Sequence, residues 1–347
     1  MSLIRLSFIF ILFVVSASNV AAQQTTRLEL YRHNWALLNP AAFPRNYFED
    51  AEELNYLGAT ARLQTVKIEG APQHYNIRYE GIIDVGKSDM KLGGFATRDE
   101  VGAISDVSLQ GNFAYLFSAG FKAQHKIGIG ITVGYLNQRV ELEKVNWKDP
   151  LSIPTDLNNR SLWNATIGIF YYYNPANGGG GGPSNYADKH RKNSNRQQRS
   201  KRVYPPFYAG VSVRNLVSSY TSSTVTPIFD TYLKTQYTAI AGGVFNNWEP
   251  SIWLRYLPNV EYQTLGVNSA VSTDFNIRYL FLYAWTGVGI STNGTANAEF
   301  GSKIYFDKSS DNCFQFGLGV GSINFTSKAI PIGLGGPSLE TFVGYTF

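Results

Sequence analysis

The 347-residue chain has one cysteine, Cys313, so it can form no internal disulfide and offers no cysteine-based metal site. Charge is scarce as well: 16 per cent of residues, against the quarter usual in soluble domains. Beyond the first two dozen residues no stretch approaches the ~20 consecutive apolar residues that a membrane helix requires, which excludes helical spans. The four histidines, His33, His74, His125 and His190, are isolated and none has H-E-x-x-H spacing. No G-x-S-x-G elbow occurs. The glycine-rich "GLGVGS" at 317–322 has no Lys-Ser/Thr behind it and sits in a strand pattern, so its glycines are read as room for inward packing or a bend. The acidic pairs in "RDE" at 98–100 and "ELE" at 141–143 fall at expected strand ends or loops, where solvated charge accounts for them. No cofactor, metal or catalytic constellation can be assigned, and the expectation is a protein that is not an enzyme.

Aromatics and glycine are abundant: 22 Tyr, 22 Phe and 33 Gly. Together with little charge, this composition suits a sheet that faces lipid on one side and a polar lumen on the other. "KIGIGITVGY" sets Ile127, Ile129, Ile131, Val133 and Tyr135 against Gly128, Gly130, Thr132 and Gly134, a strict period of two. "WNATIGIFYYY", "FYAGVSV" and "LETFVGYTF" repeat the pattern.

Runs of this kind, bounded by turn residues, predict strands near 54–68, 73–85, 89–97, 105–118, 126–142, 162–173, 205–216, 232–246, 249–257, 261–274, 277–290, 295–306, 313–325 and 338–347. That makes about fourteen, an even number as single-chain bacterial barrels require, mostly reaching the ~9–11 residues a tilted strand needs to cross. The apolar face switches near Leu136 and near Ser322, as a bulge or an extension beyond the membrane would produce. "IRYLFLYAWTGVGI" is apolar on both faces and suggests a lumen filled with side chains. The fold class is therefore all-β, an outer-membrane antiparallel up-and-down barrel preceded by a signal peptide and a short N-terminal helical segment.

The front of the chain fits that destination. Arg5 precedes the apolar run Leu6 to Val15, followed by small residues with Val20 and Ala22 at signal-peptidase spacing. Residues 1–22 read as a secretory signal peptide, 23–50 as an entry segment, and 51–347 as the barrel. At the other end Val343, Tyr345 and Phe347 step in twos to the last residue. A closed barrel pairs its last strand with its first, because hydrocarbon leaves an open edge unsatisfied. A terminal strand ending in Phe also resembles the signal read by outer-membrane insertion machinery. The localisation predicted is the Gram-negative outer membrane, with its lipid as the first partner.

Two segments stand outside the strand pattern. "TRLELYRHNWALLNPAAFP" carries Leu28, Tyr31, Trp35 and Leu38 at helical spacing, stopped by Pro40 and Pro44. It reads as a short helix packed on the periplasmic mouth, with a plug or a contact for a secretion partner as the alternatives. Residues 174–204 contain five successive glycines and then Lys189, Arg191, Lys192, Arg196, Arg199, Lys201 and Arg202 against the single acid Asp188. That net +6 exceeds the chain's +5 and leaves about −1 for the rest. Such a loop cannot bury enough apolar surface to fold alone and reads as disordered. Following the sixth strand, it falls on the periplasmic side if both termini do. It is either a tolerated insertion or a basic contact for an acidic periplasmic or peptidoglycan-associated partner. The periplasm offers no ordinary nucleic-acid target.

The mature start "LYRHNWALLNPAAFPRNYF" resembles the Y-x-x-N-x-x-L-x-N-P-A entry of the PorP/SprF-like proteins of Bacteroidetes type IX secretion and gliding systems. Tyr31, Asn34, Leu37, Asn39, Pro40 and Ala41 match it, while Ala42, Phe43 and Pro44 depart from the aromatic or glycine that usually follows. "KLGGFATRDEVGAIS", read as a strand and then a polar turn with Asp99, continues the likeness. So do "LQGNFAYLFSAG", "RVELEKVNWKDP", "IGIFYYYN" and "FYAGVSVRNL". The resemblance implies an accessory barrel that supports export or surface display of particular cargo, with secretion-system proteins and secreted cargo as partners. The alternatives are a pore or small-solute transporter, or a structural anchor to periplasmic machinery.

Overall fold

A computed structural model describes residues 28–44, 55–64, 70–85, 88–119, 125–140, 159–173, 207–216, 235–245, 247–262, 267–292, 295–306, 312–322 and 337–347. The leader expected at 1–22 and the basic loop expected at 174–204 lie outside these residues.

Fourteen antiparallel strands close into one barrel, each paired with its neighbours in sequence and the last with the first. In chain order they are β1 (Asn55–Gln64), β2 (Gln73–Asp84), β3 (Ser88–Val101), β4 (Ile104–Ala119), β5 (His125–Val140), β6 (Asn159–Tyr173) and β7 (Phe207–Arg214). They continue with β8 (Gln236–Gly242), β9 (Trp248–Tyr262), β10 (Val267–Leu280), β11 (Ala284–Ser291), β12 (Ala296–Tyr305), β13 (Cys313–Ser322) and β14 (Ser338–Thr346). At the seam, Asn55 N–H donates to the Phe347 carbonyl at 3.2 Å and Phe347 N–H to the Asn55 carbonyl at 3.1 Å. Closure by the last strand thus satisfies the edge that hydrocarbon would penalise.

Alternation decides what each face meets. On β5, Ile129, Ile131, Val133 and Tyr135 are exposed outward, and Gly130 and Thr132 point into the lumen. On β14, Val343 and Phe347 are exposed while Glu340 and Phe342 are buried inside. The end of the barrel carrying the seam, here called proximal, is ringed by aromatics: Tyr345 stacks on Phe347 at 5.4 Å, and Tyr283 meets Tyr305 at 5.9 Å. The connection between β6 and β7 leaves from this same end, since Tyr173 pairs with Phe207 there.

Three local expectations change. The strands expected at 261–274 and 277–290 are β10 and β11, so "IRYLFLYAWTGVGI" contains the end of one strand, a turn and the next strand. The turn was hidden because Phe281, Leu282 and Tyr283 are all large and apolar; only the Phe281 N–H to Ala284 carbonyl bond at 2.8 Å marks it. Second, Asp99 lies within β3 rather than in a turn; the hairpin to β4 turns at Gly102, whose φ of +60° suits glycine. Third, the switch of face near Leu136 is no bulge: β5 pairs with β4 and β6 in unbroken register, and its extra length explains the change. The register break among the described ladders falls between Val267 and Ser269. The switch near Ser322 coincides with the end of β13.

Candidate functional site: a lumenal plug

The entry segment lies inside the barrel rather than on its mouth. Residues 31–34 form a 3-10 turn and Trp35–Leu38 one helical turn, and almost every side chain from Leu28 to Phe43 is buried. Glu29 contacts residues towards the distal end, Arg62 and Ser338, whereas Phe43 meets Tyr172 near the proximal end. The chain therefore runs down through the lumen before β1 begins.

Five sets of ties hold it. Glu29 accepts from Arg62 Nε at 2.7 Å and from Ser338 Oγ at 2.7 Å, and its own N–H donates to Glu340. Arg32 is fully buried between wall carboxylates: its Nη1 donates to Glu299 at 3.0 Å, its Nε lies 3.6 Å from Glu249, and Nη2 donates to the Glu249 carbonyl at 3.2 Å. Glu299 is in turn held bidentately by Arg278 at 2.7 and 2.6 Å. Asn34 Oδ1 accepts from Arg78 at 2.7 Å and Thr60 at 3.1 Å. Near the proximal end the buried Lys91 donates to the Ala42 carbonyl, sits 3.3 Å from Glu80 and lies over the Phe43 ring.

The fifth tie is made by Asn39, Pro40 and Ala41. Asn39 Oδ1 accepts the Ala41 N–H at 2.9 Å, closing a local side-chain turn. Its Nδ2 donates to the carbonyls of Ile169 and Val211, both at 3.0 Å, tying the segment to adjacent strands β6 and β7. Asn112 donates to the Pro40 carbonyl at 3.2 Å, and Ser212 to that of Leu38 at 2.6 Å. Glycines make the approach feasible: a Cβ on Gly130 would stand 2.5 Å from Pro40 and Ala41 backbone atoms, one on Gly128 2.6 Å from the Ala41 carbonyl, and one on Gly168 would collide with Asn39. Gly319 and Gly321 of "GLGVGS" likewise make room for Glu29 and Leu30.

Aromatics fill the remaining space. Trp35 packs on Tyr208 at 4.7 Å and Phe170 at 5.5 Å, His33 lies between Trp285 and Phe342, and Tyr31 tilts against Trp253.

Of the sequence-selected residues, Tyr31, Asn34, Asn39, Pro40 and Ala41 come together as the plug. Val343, Tyr345 and Phe347 lie on the outer face and seam, remote from it. Lys189, Arg191, Lys192, Arg196, Arg199, Lys201 and Arg202 lie outside the described residues. The histidines stay apart: His74 is at the distal end of β2, His125 at the proximal end of β5 against Tyr171, and His33 in the plug. Among the described residues no group of three His, Cys, Asp or Glu could hold a metal ion. The wall charges Arg78, Glu80, Lys91, Glu249, Arg278, Glu299 and Glu340 belong to no motif in the sequence. Their signal is their phase, as at Arg78, an inward position between the outward Ile77 and Tyr79.

The sequence profile of the type IX secretion system membrane protein PorP/SprF matches residues 20–326, most of the chain. The chain belongs to the PorP/SprF family. This PorP/SprF protein is thus an outer-membrane β-barrel component of type IX secretion. No curated protein matches it. Among solved structures, it is similar to the CymD monoaromatic hydrocarbon channel at 10% identity, covering 90% of this chain and 92% of that one, with a TM-score of 0.48. The Ralstonia pickettii toluene transporter TbuX is similar at 10% identity, 90% and 92% coverage and a TM-score of 0.47. The Pseudomonas putida toluene transporter TodX gives 10% identity, 90% and 93% coverage and a TM-score of 0.48.

Proposed function

We propose that this PorP/SprF protein works as a plugged accessory barrel, supporting export or surface display of particular type IX cargo through protein contacts rather than by passing cargo through its lumen. The observation carrying this reading is the entry segment, bound inside the barrel from Glu29 to Phe43 by ion pairs and glycine-floored packing. Partner-binding surfaces are then the rims and loops. The domain division that goes with this reading is a leader at 1–22, an entry segment at 23–50 and a barrel at 51–347, with Val343, Tyr345 and Phe347 as the insertion signal.

Deleting the gene in its native host and comparing secreted and surface proteomes by quantitative mass spectrometry tests the proposal. The expected result is loss of one or a few proteins bearing type IX export domains. An unchanged secretome, coupled with solute-selective conductance of the purified barrel, would replace it with the transporter reading.

The basic loop supplies a second contact for a periplasmic or peptidoglycan-associated partner, on the strength of its net +6 and its place after β6 at the proximal end. Removing residues 176–202 is expected to abolish co-purification of periplasmic components while heat-modifiable migration on gels persists. Retention of those components would reduce the loop to a tolerated insertion.

A further inference from the structure

The outer wall carries little charge, and that charge is gathered in one place. Among the described side chains that point outward from the strands, the charged ones are Arg98 and Glu100 on β3 and Arg139 on β5; the other charged strand residues face the lumen. Register sets their height. Ala96, Leu109, Tyr135 and Trp163 stand opposite one another as an uncharged outward row that ends in two amphipathic aromatics. One step closer to the distal rim the row is Tyr75, Arg98, Val107 and Asn137, and the next is Glu100, Ser105 and Arg139. The apolar band thus gives way to polar groups within one step of two residues, ~7 Å along a strand. A headgroup layer is itself about 5–8 Å deep, so Arg98 stands among lipid headgroups and Arg139 at their outer margin.

Apart from the basic loop, the long connections, 141–158, 215–235 and 323–337, leave from the distal rim, which makes it the extracellular one. The outer leaflet of a Gram-negative outer membrane is phosphorylated glycolipid. Local bonds occupy most of the uncharged groups: the Tyr75 hydroxyl donates to Gln73 at 2.9 Å, Tyr135 donates to Ser161, and Asn137 Nδ2 donates to the same Ser161 Oγ at 3.3 Å. Arg98 reaches Glu100 through Nη2, yet its side chain is 55% exposed and a guanidinium has five N–H donors to offer. Arg139 is exposed as well.

We propose that this patch holds a bisphosphorylated glycolipid of the outer leaflet, with Arg98 and Arg139 each taking one phosphate. The planar fork of a guanidinium matches phosphate oxygens two at a time. Two strand spacings and one two-residue step put the two Cα atoms ~12 Å apart. Two phosphates at the ends of a disaccharide match that separation, whereas a glycerophospholipid offers a single phosphate. Glu100 shares Arg98's strand and Arg139's row, so the ground beside the two cations repels a further anion and accepts sugar hydroxyls. Unspecific attraction to anionic lipid would call for cations all round the rim. Among the described residues, the outer face of β7 to β14 and of β1 has none.

The test is native mass spectrometry of the delipidated full-length barrel in detergent, with bisphosphoryl lipid A, monophosphoryl lipid A and dioleoyl phosphatidylglycerol as separate probes. Bisphosphoryl lipid A is expected to bind about tenfold more tightly than either of the others, the scale of one charge-assisted hydrogen bond. Arg98→Gln and Arg139→Gln should each weaken it about tenfold and leave phosphatidylglycerol unchanged. Heat-modifiability reports assembly of each variant, and Arg139→Gln carries the test if Arg98→Gln fails to assemble. Equal binding of the three lipids overturns the proposal, as does a preference that survives both substitutions. A dimer that the substitutions dissolve would also overturn it, and would reassign the patch to a second copy of the chain.

Discussion

In an Arg32→Ala variant the barrel is expected to assemble while its plug comes loose. Arg32 belongs to the plug and its carboxylate partners, Glu249 and Glu299, belong to the wall, so the interaction exists only in the docked state. Glu299 keeps the bidentate Arg278, but Glu249 loses its cationic neighbour in a fully buried setting. Removing one member of a buried ion pair costs about 3–5 kcal/mol, because the remaining charge stays desolvated. That corresponds to roughly two to four orders of magnitude in the ratio of docked to undocked plug. Planar-bilayer recordings should show open events that the wild type lacks, and protease should cut within 28–43 in the folded barrel. Arg32→Lys, which keeps the charge but loses the planar fork, should fall between. Adding Glu249→Gln to Arg32→Ala removes the charge that Arg32 faced, leaving the Tyr208 hydroxyl as a neutral partner at 3.1 Å, and should restore much of the protection. Silent recordings and full protection in Arg32→Ala would mean that packing alone holds the plug.

How much of this was legible in the sequence follows from which features are local. Period two in "KIGIGITVGY" or "LETFVGYTF" is a property of adjacent residues, and hydrocarbon on one side enforces it, so the strands and their closure could be read directly. The β10–β11 turn could not, because Phe281-Leu282-Tyr283 lacks the glycine, proline or asparagine by which turns are recognised. The entry segment was recognisable as helical at Leu28, Tyr31 and Trp35, yet its depth in the lumen depends on partners hundreds of residues away. Glu29 and Glu340 illustrate the difficulty, since neither has a local cue naming the other. Inward charges such as Arg78, Glu80 and Glu299 were visible as polar residues in the right phase. Their pairing with the plug required the register of the whole barrel.

The glycine floor gives the sharpest discrimination between a plug held by side-chain fit and one held by backbone approach. A Cβ at residue 168 would collide with the Asn39 side chain and come within 3.0 Å of Pro40 Cδ. A Cβ at residue 130 would instead stand 2.5 Å from backbone atoms of Pro40 and Ala41. Each alanine should cost roughly 1–3 kcal/mol of docking free energy as overpacking. Asn39→Ala removes two bonds to wall carbonyls and the turn closure to Ala41, for a loss of about 1–3 kcal/mol. The two glycines should then part company in double-mutant cycles read out as plug protection against protease over a urea series. Gly168→Ala with Asn39→Ala should cost less than the sum by ~1 kcal/mol or more, because the group struck by the new methyl is already gone. Gly130→Ala with Asn39→Ala should stay within about 0.5 kcal/mol of additivity, because no change at residue 39's side chain moves the backbone out of the way. Equal coupling at both positions would mean that the segment shifts as a rigid body and that Asn39 is not the tie that sets its depth. Barrel assembly, followed by heat-modifiability, should be unchanged throughout, since both glycines point inward and the outer face that meets lipid is untouched.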